Sequence, residues 1–169
     1  IVDSAGPVPP DRVFVINIWS DSTGNALAIN GLSWPHTERI ETRVGDTLRW
    51  RVINTTLRPH PMHLHGFYFT LLSRGDAKAD TTFAPNMRFD EVTERMRNNS
   101  TMTMQWTPDR PGNWLFHCHI AFHVVPEAAQ LAAPDSTHDE THSEHAEEHM
   151  RGLIVGIVVK KRRSYIEES

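Results

Sequence analysis

Apolar and polar residues alternate over short stretches for most of the 169-residue chain, most cleanly over residues 101–106, where Met102, Met104 and Trp106 interleave with Thr101, Thr103 and Gln105. A period of two is that of a half-buried strand. It recurs at Ile40, Thr42 and Val44 and again at Leu48, Trp50 and Val52, with Gly45-Asp46 between them, which reads as an antiparallel hairpin. Residues 12–19 are rich in Val, Ile and Phe, residues 26–29 run into an Asn30-Gly31 turn, 67–72 form a short apolar run, and 152–159 are nearly all apolar. Many short strands punctuated by Gly and Pro predict an all-β fold, a sandwich or a Greek-key barrel. Trp50, Trp106, Trp114 and Phe116 fall at inward strand positions and are predicted core.

Two segments break the pattern. Residues 1–11 carry three prolines and a glycine, the composition of a linker, so a preceding packed unit is expected. Residues 124–149 carry no strand signal. From Asp135 they hold six acidic residues and four histidines, and His138, His142, His145 and His149 are spaced to share one helical face. That face reads either as an acidic, His-rich surface segment or as a chelating one. We expect one domain over 12–160, interrupted by an insertion at about 124–149 and followed by a tail at 161–169.

Composition excludes more than it identifies. A net charge of -4 and a pI near 6.3 leave no electrostatic footprint for nucleic acid, and no apolar run approaches a membrane span. One cysteine allows no intramolecular disulfide, so compartment cannot be read from it.

That cysteine lies in Trp114-Leu115-Phe116-His117-Cys118-His119-Ile120-Ala121-Phe122-His123. In a strand, Trp114, Phe116 and Cys118 share one side, and His117 and His119 the other. One segment can therefore serve two sites. A thiolate joined by imidazoles suits a blue-copper centre, with His123 near enough along the chain to supply one ring. A second cluster, His60-Pro61-Met62-His63-Leu64-His65-Gly66, places His63 and His65 on one strand face and offsets His60.

These two motifs resemble the C-terminal copper motifs of the multicopper oxidases, the laccase-like family. Residues 30–38 and Val44-Gly45-Asp46 resemble the lead-in of the same C-terminal cupredoxin domain. The resemblance implies a cupredoxin-like Greek-key barrel in which His60, Cys118 and His123 hold type 1 copper, His63 type 2 copper, and His65, His117 and His119 the type 3 pair. It implies single-electron oxidation of a reducing substrate, transfer through Cys118 to His117 and His119, and reduction of dioxygen to water.

Two departures from the family pattern stand out. The family's cluster uses eight histidines and this chain offers four, so an N-terminal cupredoxin domain or a partner chain is expected to supply the rest. The family's usual axial position falls on Ala128, which cannot coordinate. Met150-Arg151-Gly152 resembles the junction before the family's last strand, which makes Met150 either the axial thioether or an ordinary methionine. A periplasmic or extracellular location follows from the resemblance alone. The rival readings are a stand-alone blue-copper electron carrier and, more weakly, a copper nitrite reductase, against which His119 argues; a degenerate domain that only packs on a catalytic one is disfavoured by the full set of ligands.

Overall fold

A computed structural model describes residues 9–21, 24–124 and 152–162. Twelve strands form two facing sheets: β1 (Arg12–Asp21), β2 (Gly24–Ile29), β3 (Arg39–Arg43), β4 (Leu48–Asn54), β5 (His60–Leu64), β6 (Phe69–Gly75), β7 (Asp80–Thr82), β8 (Phe89–Glu91), β9 (Thr93–Met96), β10 (Ser100–Trp106), β11 (Gly112–Cys118) and β12 (Ile154–Lys160). One sheet runs β2-β1-β4-β10-β6-β7, with β8 also on β6; the other runs β3-β12-β11-β5-β9. Among the described residues the helical turns are two short 3-10 segments, Pro85–Met87 and Ala121–His123. This is the expected all-β, cupredoxin-like architecture. The His-rich segment and its helical spacing lie outside the described residues.

The alternation seen in the sequence sets the inner faces. Every second residue of β10, from Ser100 to Trp106, is buried, and β4 buries Trp50, Val52 and Asn54 in the same way. Trp50 is the hub, with ring centroids 5.2 Å from Phe14, 5.1 Å from Trp106 and 5.3 Å from Phe116, all edge-on. Edge-to-face pairs add to the area they bury, and truncating such a tryptophan to alanine costs about 3–5 kcal/mol. Trp114 departs from expectation. It is only partly buried and packs edge-on to Phe67, 4.9 Å away, at the margin of the core.

Residues 40–52 also depart. β3 and β4 are not a hairpin: β3 runs parallel to β12 in one sheet, and β4 runs parallel to β1 and antiparallel to β10 in the other. Ile40 and Trp50 both point inward, one from each sheet, so the Gly45-Asp46 turn is a corner between layers. Asp46 caps it, accepting from the Arg43 amide at 2.9 Å and the Thr42 hydroxyl at 3.1 Å. Asn30-Gly31 does form a tight turn. Both residues have positive φ, 52° and 83°, the mirror-image turn that matches strand twist.

Candidate metal centre

Both predicted clusters are carried by one antiparallel pair, β5 and β11, in which Phe116 lies opposite Leu64, His117 opposite His63, and Cys118 opposite Met62. The pleat separates them. Leu64, Met62, Phe116 and Cys118 are completely buried toward the core, while His63 and His117 project from the other face. The ladder runs on past both strand ends, since the His65 amide donates to the Leu115 carbonyl at 2.9 Å and the His119 amide to the Pro61 carbonyl at 2.7 Å. Four imidazoles thereby gather on one face.

On the inward side, His60, Cys118 and His123 bring one donor atom each to within 4.8 Å of one another, and all three residues are buried. Cys118 Sγ lies 3.7 Å from His60 Nδ1 and 3.4 Å from His123 Nδ1. His60 arrives from the first residue of β5. His123 arrives from the 3-10 turn Ala121–His123, which folds the chain back so that its ring stands 4.9 Å from that of His60. Behind them, His60 Nε2 lies 2.8 Å from the Thr56 hydroxyl.

The four-histidine face is looser. Ring centroids are 4.8 Å apart for His65–His117, 5.0 Å for His63–His65, 5.2 Å for His63–His119 and 5.8 Å for His117–His119. His117 is buried, His63 and His65 half-buried, and His119 exposed. His117 Nδ1 donates to the Cys118 carbonyl at 2.8 Å, which leaves Nε2 as the bare nitrogen of the neutral ring. That nitrogen faces His65 Nε2 at 2.8 Å. His63 Nδ1 is 2.7 Å from the hydroxyl of Thr93, its cross-strand neighbour on β9.

Burial favours the neutral form of five of these rings and of the thiol. It lowers His60 to about 4, helped by the neighbouring His123, and lowers His117 to about 4 against the opposing effect of its bond to the Cys118 carbonyl. His63, His65 and His123 are also lowered, first by desolvation. The Cys118 thiol is pushed up to about 11 by burial. Neutral imidazoles are the metal-binding form, and a cation is what would draw the proton from such a thiol. A buried thiol with two imidazole Nδ1 atoms is the donor set of a blue-copper site, so the residues fit copper.

With this geometry in hand, similarity to known proteins decides the family. The family model described as multicopper oxidase matches residues 7–132. The chain belongs to the multicopper oxidase family. It is 31% identical over 132 residues to Laccase-5 of Trametes versicolor, covering 76% of this chain and 25% of that protein. Over 71 residues it is 42% identical to Laccase-3 of Botryotinia fuckeliana, covering 39% of this chain and 16% of that protein. The chain therefore spans a quarter or less of the length of these two curated relatives. A blue copper oxidase from Nitrosomonas europaea shares the fold, with a TM-score of 0.66 at 18% identity over 92% of this chain and 47% of that one.

Met150, the axial candidate, lies outside the described residues, as do His138, His142, His145 and His149. His36 is exposed in a loop. Thr56, Asn54 and Thr93 escaped the sequence reading. Asn54 carried a signal nonetheless, because the alternation that buries Trp50 and Val52 also points Asn54 inward, and a buried amide needs partners.

Proposed function

We propose that this chain is the type 1 copper domain of a laccase-like multicopper oxidase, spanning about 12–160, with His60, Cys118 and His123 as the type 1 ligands. His63 would hold type 2 copper, and His65, His117 and His119 half of a type 3 pair, with the remaining histidines coming from an N-terminal cupredoxin domain or a partner chain. Met150 is the axial ligand on this reading. When bound, copper supplies one-electron exchange at the thiolate and four-electron reduction of dioxygen to water at the histidine face.

The chain's own residues supply the rest. Phe116, Met62 and Leu64 pack the inward side and exclude water from Cys118. Two links join the two sites: the backbone from Cys118 into His117 and His119, and the 2.8 Å hydrogen bond from His117 Nδ1 to the Cys118 carbonyl. Donors of one electron at a time, such as phenols, aromatic amines or low-valent metal ions, suit such a centre. We infer a periplasmic or extracellular location.

One observation carries this reading: a cysteine in a buried three-donor cluster whose chain neighbours converge with His63 and His65 on the opposite face. A stand-alone electron carrier would leave those four imidazoles without a task. The test is copper stoichiometry and oxygen uptake. This chain alone should take up one thiolate-bound copper without oxygen turnover, and turnover should appear in the parent protein or when the complementing domain is added. A fully copper-loaded parent that consumed no dioxygen with any reducing donor would overturn the oxidase assignment.

A further inference from the structure

The hydrogen bonds around Thr56 determine which nitrogen of His60 carries its proton. Thr56 lies directly behind His60 and Asn54, the last residue of β4, behind Thr56, and both are buried. The Asn54 side-chain nitrogen lies 2.8 Å from the Arg58 carbonyl and 2.8 Å from the Arg97 carbonyl. Both neighbours are acceptors, so the amide is oriented with its NH2 toward them and its Oδ1 away. That Oδ1 receives the Thr56 amide at 2.9 Å and sits 2.8 Å from the Thr56 hydroxyl. A carbonyl oxygen cannot donate, and the Arg58 carbonyl, 3.1 Å from the hydroxyl, is a second such acceptor, so the single hydroxyl proton goes to one of these carbonyls, the shorter contact being the one to Asn54. Were it turned to His60 instead, two oxygens would face each other at 2.8 Å with no proton between them.

The hydroxyl's lone pairs are then left to accept. One takes the Arg58 amide at 3.2 Å and the other faces His60 Nε2 at 2.8 Å. His60 must therefore donate from Nε2. Its Nδ1, the atom 3.7 Å from Cys118 Sγ, is left bare.

We propose that Asn54 and Thr56 are positioning residues that lock His60 in the Nε2-protonated tautomer, so that an unprotonated Nδ1 is presented to the Cys118 site. The value of this lock for metal binding rests on the copper reading above; the tautomer itself does not. Partners of this kind fix ring orientation as well as tautomer, and losing one weakens metal affinity by roughly 10- to 100-fold.

The test begins on the metal-free 169-residue chain with ring-15N histidine, using long-range proton–nitrogen correlation spectra. His60 should show a protonated Nε2 and a bare Nδ1, a result that needs no variant; a protonated Nδ1 would overturn the proposal. Thr56→Val should then release the ring into a mixture of tautomers and weaken copper(II) binding at the thiolate site by roughly 10-fold or more, while Thr56→Ser restores both. A Thr56→Val chain that keeps the Nε2-protonated ring and the wild-type affinity would also sink the idea. If the wild-type tautomer is as expected but copper produces no thiolate absorption, the lock stands and the copper assignment of this cluster falls.

Discussion

The two histidine groups of this domain are anchored on the same two strands, with His123 added from the 3-10 turn after β11, and yet differ in burial and in openness. The thiol site is closed, because His60, Cys118 and His123 are all buried and their backing residues come from the same core. The four-histidine face is open, grading from buried His117 to exposed His119. The pleat makes this division, sending Cys118 into the space between the sheets and its neighbour His117 out of it. A site whose donors all come from one chain is shielded by that chain's interior, whereas a face with half the expected donors has no interior of its own.

Substituting Cys118→Ser separates the two regions most sharply. The thiolate-to-copper absorption should vanish completely, while copper still binds the four-histidine face of the complemented protein. The reverse change, His65→Ala, should leave that absorption at full intensity. Absorption spectra and copper counts on both variants check this, and a band surviving in Cys118→Ser would remove the thiol from the ligand set.

Acid should weaken the metal-free chain through both regions at once. His60 and His117 each fall from an ordinary 6.5 to about 4 in the fold, so between those values the unfolded chain takes up protons that the folded chain refuses. The contribution of these two rings is therefore expected to be level above about pH 7.5, to decline as pH drops through 6.5, and to be lost by about 4. Urea midpoints followed by tryptophan fluorescence measure it. A midpoint that rises on acidification over this range would contradict the burial of both rings.

The legible part of this protein was the part written in local periodicity. Residues 101–106 showed a strand, and the alternation around Cys118 showed which side chains part company there. The sole cysteine and clustered histidines made the candidate ligands visible. Pairing between distant segments was not visible, because β3 finds β12 and β4 finds β1 across long stretches of sequence, and the turn chemistry of Gly45-Asp46 is the same for a hairpin as for a corner between sheets. The residues behind the ligands were hidden for a related reason. Asn54-Thr55-Thr56 looks like turn composition, and although alternation along β4 points Asn54 inward, only the fold shows that Thr56 is buried against His60 with Asn54 bonded behind it.

Glycine substitutions probe the two regions separately. At Gly152, φ is +88° and a Cβ would stand 2.3 Å from the His123 carbonyl oxygen, so backbone carrying a ligand of the thiol site must move. At Gly66, φ is +77° and the Cβ would meet the Trp114 ring at 2.3 Å, beside His65. Gly152→Ala is expected to cost about 3 kcal/mol and to distort the thiolate absorption, and Gly66→Ala about 2 kcal/mol with the absorption intact. Chemical denaturation and spectra of the copper-loaded variants test both, and equal spectral damage from the two would erase the distinction between the regions.

The mildest probe is Thr93→Val, which removes the hydroxyl beside His63 Nδ1 while keeping the shape of the side chain. Thr93 opens β9 at the sheet edge and faces His63 across the ladder, so the change touches the histidine face alone. The fold should lose about 1 kcal/mol for one hydrogen bond between partly exposed groups. With the hydroxyl gone and only the backbone bond to Val92 left, the His63 ring is held less firmly, so copper affinity at the four-histidine face of the complemented protein should fall by roughly 10-fold. The thiolate absorption should be unchanged, because Thr93 meets His63 on the face of the sheet opposite Cys118. Should Thr93→Val weaken the thiolate site as much as the histidine face, the two regions would behave as one coupled network and the pleat would not be what divides them.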